Sequence, residues 1–192
     1  MYSRVEIKER AKEQIRGNIG ILLLIQIIFG LLLCASSLVI IGSLLIMGPM
    51  TLGLALVYLD VSYGVPLTVN RMFEGFDQFG KAFVLNLLIG IFTFLWSLLF
   101  FIPGIIKEIS YSMAFYILAE NPGMSAAEAL NESKRIMNGH KMDYFILQLS
   151  FIGWLLLGAI TFGLAYIYVI PYMTASQMNF YHAIKGDRVD AF

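Results

Sequence analysis

Two long stretches of the chain carry no charged side chain: the 43 positions between Arg16 and Asp60, and the 41 between Asp143 and Lys185. As helix at 1.5 Å per residue the first would run about 64 Å, twice the ~30 Å hydrocarbon core of a bilayer, so it must turn back once. Gly42-Ser43 and Gly48-Pro49 are the breakers placed to reverse it, because Gly and Pro weaken helix interiors. The pattern predicts one helix from Ile19 to Ile41 and a return helix from Leu44 to Val61. The second stretch contains Gly163 and Pro171 and reads as another hairpin. Between them, Ala82 to Phe101 is one clear span ending at Ile102-Pro103-Gly104. Ile105 to Leu118 follows, apolar apart from Lys107 and Glu108, short for a crossing and able to re-enter instead.

The polar segments have a pattern of their own. Ser3-Arg4-Val5-Glu6 and Ser125-Ala126-Ala127-Glu128 both have capping-box spacing, in which a Ser hydroxyl and a Glu carboxylate satisfy the N–H groups at a helix start. The second follows the turn Asn121-Pro122-Gly123 and opens a helix that ends near Asn138-Gly139. An offset of 122 pairs Ser3 with Ser125, Lys12 with Lys134, Gly17 with Gly139, Gln26 with Gln148, Pro49 with Pro171 and Gly64 with Gly186, without a gap. This predicts a repeated unit of amphipathic helix plus hairpin, 3–64 and 125–186, with a looser middle unit over 66–120. In that middle unit Phe73, Phe76, Phe79 and Phe83 form a stripe that either lies in the headgroup boundary or packs on the helix ends.

Composition then places the chain in lipid: 59% of residues are apolar and 14% charged, against roughly 45–50% and 25% in soluble domains. The 13 Lys and Arg balance the 13 Asp and Glu, which argues against a nucleic-acid partner. Where the cations fall decides orientation. With six crossings and the N-terminus inside, every Lys and Arg except Lys107 lies on the cytoplasmic side, as short inner loops require. The early acidic residues Glu6, Glu9 and Glu13 and the length of the first apolar run argue against a cleaved signal peptide. The single cysteine, Cys34, excludes an intrachain disulfide and reads as a small buried hydrophobe. The fold class is all-α: one transmembrane domain over residues 1–192, six helices as three hairpins with cytoplasmic amphipathic helices.

Candidate chemistry is sparse. Lys107 and Glu108 are the ionisable groups nearest lipid depth, with each other, Tyr111 or Ser112 as partners. Gln26, Asn86 and Gln148 lie near the inner ends of their helices, where interhelical hydrogen bonds are the ordinary role of such residues. Gln177, Asn179, Tyr181 and His182 on the last helix would be their partners, and their convergence would make a polar vestibule. The candidate polar cavity is therefore Lys107, Glu108, Tyr111, Gln26, Asn86, Gln148 and Gln177. His140, just past a helix C-terminus, suits the dipole and anionic headgroups rather than a metal. Ser110 and Ser112 lack a nucleophile elbow, and there is no Walker loop, dinucleotide fingerprint, HExxH or EF-hand loop. No catalytic, cofactor or metal residues are assigned.

Several ordered motifs carry a family resemblance: Phe94-Leu95-Trp96-Ser97, Ile102-Pro103-Gly104-Ile105-Ile106-Lys107, Tyr116-Ile117-Leu118-Ala119-Glu120-Asn121-Pro122, Met137-Asn138-Gly139-His140-Lys141, Phe151-Ile152-Gly153-Trp154 and Pro171-Tyr172. Together they resemble domain of unknown function 975, small integral membrane proteins mainly of Gram-positive bacteria. The arrangement is more distantly similar to the membrane domain of some glycerophosphodiester phosphodiesterases. The resemblance implies a multi-pass plasma-membrane location and supplies no reaction. The sequence therefore points to a non-enzymatic envelope accessory or interaction protein with both termini cytoplasmic. Its partners are membrane lipids, with a membrane protein or a second copy as further candidates. The competing readings are a small transporter or channel with a polar cavity at Lys107 and Glu108, and, less favoured, a lipid-modifying enzyme.

Overall fold

The computed structural model describes residues 3–37, 40–99, 101–161 and 163–186. Every regular element among them is helical: α1 Arg4–Arg16, α2 Ile19–Ser37, α3 Ile40–Ser62, α4 Asn70–Phe73, a 3₁₀ turn Glu74–Gln78, α5 Phe79–Leu99, α6 Phe101–Tyr111, α7 Ala114–Glu120, α8 Ala126–Ile136, α9 Lys141–Leu149, α10 Ile152–Ile160 and α11 Tyr166–Lys185. Among the described residues three helical stretches are long and apolar enough to cross a membrane: Gly42–Ser62, Asn70–Leu98 and Lys141–Ile160. α1 and α2, joined at a 92° bend, become a fourth if they are taken together.

The first hairpin does not reverse where Gly and Pro suggest. Gly42-Ser43 and Gly48-Pro49 all lie inside α3, which begins at Ile40 after α2 ends at Ser37; residues 38 and 39 lie outside the described residues. Pro171 likewise sits within α11. Proline is tolerated in helices of this kind because neighbouring helices and polar side chains satisfy the carbonyl it leaves open. Gly48 serves contact instead. A methyl group added to Gly48 would overlap the Ala82 carbonyl, one on Gly53 the Met72 carbonyl, and one on Gly75 the Pro49 carbonyl and the Gly53 backbone. The backbone of α3 thus touches α4, the 3₁₀ turn and α5 directly, an approach that only glycine allows.

The second difference concerns Ile105 to Leu118, expected as one helix. The chain forms α6 and α7 with an interruption at Ser112-Met113, where the Ser112 hydroxyl donates back to the Ile109 carbonyl at 2.8 Å. Such local bonds compete with the helical ladder. Pro103 lies in the first turn of α6, where its missing N–H removes no helical bond. α6 folds back along α5 with Gly104 against Ser97. Lys141–Ile160 is similarly divided at Ser150-Phe151.

Burial is uneven in a way hydropathy does not anticipate. The apolar window of α3 is 61% buried, whereas that of Asn70–Leu98 is 11% buried. α3 is a central helix. α5, α10 and much of α2 present Phe94, Leu98, Ile160, Leu156, Leu31 and similar side chains outward, an apolar surface far larger than a soluble protein exposes. Cys34 is exposed on α2 rather than buried, because α2 sits on the outside and its apolar sequence matches the surroundings of the protein, not its core. The aromatic stripe divides: Phe73 and Phe79 are exposed, while Phe76 packs against the core.

The two capping boxes form as expected. Ser3 and Ser125 each accept from the backbone N–H three residues on, and Glu6 and Glu128 each accept from the Ser backbone. That backbone N–H, with the Ser hydroxyl, holds both carboxyls below their ordinary value. A carboxyl depressed in the folded state contributes stability that is complete above its unfolded pKa and is lost as pH falls through the folded one. Amide exchange at the first turns of α1 and α8 is therefore expected to accelerate, beyond its intrinsic dependence, as pH falls below the ordinary carboxylate range. Ser125→Ala, which keeps the backbone N–H and removes the hydroxyl, should reduce that acceleration in α8 alone, at a cost of about 1 kcal/mol to the helix. Unchanged protection in wild type at low pH would contradict it.

Candidate functional site

α3, α7 and α11 finish at the same place. Tyr63, one residue past α3, donates its hydroxyl to Glu120 Oε1 at 3.0 Å, and Tyr181 of α11 donates to Glu120 Oε2 at 2.5 Å. The Lys185 ammonium reaches the same oxygen at 2.7 Å. A carboxylate at the C-terminus of a helix opposes the helix dipole, so Glu120 is held at the end of α7 by these three donors. Its side chain is 10% exposed.

Beside it lies a second set of polar contacts. Ser62 Oγ and His182 Nε2 are 2.9 Å apart, and Ser62 Oγ also donates to the Leu59 carbonyl at 2.7 Å. Asn179 donates to Gln14 Oε1 at 2.7 Å, which brings α1 into the cluster. Rings fill the remaining space: Tyr63 meets His182 edge-on, and Tyr116 stacks on Tyr181. Ser62, Asn179 and His182 are buried. The Ser–His contact has the spacing of a nucleophile and its base; the Ser62 hydroxyl also lies within bonding distance of the Leu59 carbonyl three residues back, and both groups are buried. Together these contacts tie α1, α3, α7 and α11 into a knot.

Around the knot, ion pairs and single bonds tie the connecting segments down. Arg71 binds Asp60 through two bonds of 2.8 and 3.2 Å and also pairs with Glu74. Lys81 donates to the Pro122 carbonyl. Each of the more polar segments packs on one of these three helices: α1 on α11, α4 with the 3₁₀ turn on α3, and α8 on α7.

The residues expected to form a polar cavity are not brought together. Lys107 lies over the Trp96 ring, 4.6 Å from its centroid, and Glu108 is exposed. Tyr111 is buried against Phe92, with the Lys134 ammonium 5.5 Å from its ring. Gln26 donates to Tyr58 at 3.2 Å and Gln148 to Tyr144 at 2.9 Å, within their own hairpins. Asn86 and Gln177 are half-buried. Asn179, Tyr181 and His182 of α11 find α1, α7 and α3 rather than Gln26, Asn86 or Gln148. His140 lies 3.7 Å from Asp143. Among the described residues no group of three or more His, Cys, Asp or Glu side chains is placed to hold a metal ion.

Glu120, Tyr63, Ser62 and Gln14 are absent from the sequence-derived set. A signal for Glu120 existed, since it is an acid at the foot of an apolar helix where the dipole favours a base. Nothing in the sequence marks Ser62 or Gln14.

Comparison with curated proteins and with solved structures returns no match. The likeness to glycerophosphodiester phosphodiesterase membrane domains thus remains an expectation of the sequence. The family comparison does match, over residues 1–107 and 98–188 and so nearly the whole length. The chain belongs to the protein family of unknown function DUF975.

Proposed function

We propose that this protein is a six-helix integral plasma-membrane protein with both termini in the cytoplasm, acting without chemistry of its own as an envelope accessory or interaction protein. The observation that carries this reading is the knot around Glu120. Where the return helices meet, the polar side chains bind one another and aromatic rings occupy the space between them. A transport route needs polar groups that face an opening, and here they are spent on joining chain segments.

Six crossings require α6 with α7, and α11, to traverse although neither is among the long apolar helices. α11 carries Ser176, Asn179 and His182, all buried in protein, so the polarity that lowers its hydropathy never meets lipid. α7 is buried along most of its length. The helices covered by their neighbours can be polar or short, while α2, α5 and α10 face lipid and are predominantly apolar. We also propose that the chain is three repeats of amphipathic segment, outward helix and return helix. Matching capping boxes at Ser3 and Ser125, and the left-handed glycines Gly64 and Gly186 at the ends of equivalent helices, support it. So does the packing, in which α4 and α8 each lie on the return helix before them and α1 closes the ring on α11.

Cysteine accessibility tests the topology. Gly104 and Ser133 are poor probe positions, because Gly104 abuts Ser97 and Ser133 is fully buried. Ile102, Thr68 and Asn131 are exposed. In a Cys34→Ser background, a membrane-impermeant maleimide added to intact cells should label Ile102→Cys and leave Thr68→Cys and Asn131→Cys unlabelled until the membrane is opened. External labelling of Asn131→Cys would refute the six-crossing arrangement.

A further inference from the structure

A cleft of about 570 Å³ lies between the N-terminal half of α1, the α9–α10 junction and the last turns of α11. Its volume is that of a small-molecule site. Arg4 and Lys8, one turn apart on α1, supply cations, Phe180 and Ile184 supply an apolar wall, and Ser150 supplies a hydroxyl. Asp143 is the acid in the lining, and its carboxylate faces His140 at 3.7 Å.

Two further observations give the cleft a direction. Lys8 donates to Ser150 Oγ at 3.1 Å and lies 4.3 Å from the Phe151 centroid. Burial, with Lys12 nearby, pushes its ammonium below the usual lysine range. Such a cation is under-compensated, and an incoming anion would relieve it. Beyond Ser150, Ile152, Leu155 and Leu156 are exposed on α10 at helical spacing. The cationic mouth therefore opens beside the start of a helix that carries an exposed apolar strip.

We infer that this cleft is a binding site for an anionic phospholipid, its phosphate held by Arg4 and Lys8 and an acyl chain laid along α10. The inference rests on the reading above, in which α10 faces lipid and α1 lies at the inner surface. A zwitterionic lipid carries its own cation into the mouth and gains less from Arg4 and Lys8. A free glycerol phosphate has the charge without the chain and gains nothing from α10.

The test is native mass spectrometry of the full chain released from nanodiscs of phosphatidylglycerol and phosphatidylcholine in equal amounts. Wild type should retain phosphatidylglycerol in preference, and Arg4→Glu should lower that preference about tenfold, the worth of one charge-assisted contact. Lys8→Arg, which keeps the charge, should keep it. Ile152→Asn should weaken retention with Arg4 intact, and excess glycerol phosphate should not displace the lipid. Equal retention of both lipids by wild type, or an unchanged preference in Arg4→Glu, overturns the site. Arg4 is exposed, so its substitution leaves folding intact. The maleimide pattern at Ile102 and Asn131 is independent of lipid preference, so failure of the topology is told apart from failure of the site.

Discussion

Replacing Glu120 by Ala is expected to destabilise the protein by about 2–4 kcal/mol, seen as a lowered unfolding midpoint in detergent. One carboxylate accepts from two phenols and an ammonium. Hydrogen bonds to a charged group contribute roughly 1.5–3 kcal/mol each, but removing the shared acceptor does not cost their sum, since Tyr63 is exposed and regains water. Lys185 is 36% exposed at its side chain, so its pair with Glu120 is partly screened. Tyr181 is 1% exposed and its hydroxyl is expected to carry most of the loss. Glu120→Gln keeps an acceptor of the same shape and should cost about half as much. A loss below about 0.5 kcal/mol for Glu120→Ala would show that the return helices are held together by their apolar faces alone, and the structural role assigned to the knot would fall.

The second large effect is expected at Gly53 and Gly75. A methyl group at either overlaps backbone rather than a side chain that could rotate away. The helix or the turn must therefore move as a body. Overpacking inside a core typically costs 1–3 kcal/mol, and a clash of main chain against main chain belongs at or above the top of that range, about 3 kcal/mol. Gly53→Ala and Gly75→Ala should each give low yields of folded protein and a lowered midpoint. Gly90→Ala is the matched control. It lies inside α5 with nothing within 4 Å of the added methyl, so helix propensity should leave it neutral or stabilised by up to about 1 kcal/mol. Equal behaviour of Gly53→Ala and Gly90→Ala would mean that α3 does not approach α4 and α5 as closely as described.

Both effects lie at positions the sequence marks faintly or misplaces. Gly48-Pro49 looked like a chain reversal and is part of a helix whose glycines exist for close contact. A glycine in an apolar run has two uses, to turn or to be touched, and one sequence does not say which. The polar residues show the same limit. Gln26 and Gln148 both suggest bonds between helices; Gln26 reaches Tyr58 of α3, whereas Gln148 bonds Tyr144 one turn back in its own helix α9, and nothing in the pattern selects either partner. Lys107 was expected beside Glu108 or Tyr111 and stands over Trp96, eleven positions back, because α6 folds tightly along α5.

What the sequence determined by itself was local. Hydropathy along the chain is enough to require helices that hide their backbone bonds from an apolar solvent. A capping box needs only residues three apart, so the start of α1 at Arg4 and of α8 at Ala126 could be read directly. The family, carried by short ordered motifs, was legible for the same reason. Only the tertiary structure decided which apolar helices are core and which are surface, since a helix facing lipid and a helix facing other helices satisfy the same hydropathy. It also decided that α3, α7 and α11 end together, which brings Glu120 to Tyr63, 57 positions away, and to Lys185, 65 positions away. Separations of that length leave no trace in the periodicity of a single chain, and the cleft beside Arg4 and Lys8 is likewise made by segments far apart in it, α1, the α9–α10 junction and the end of α11.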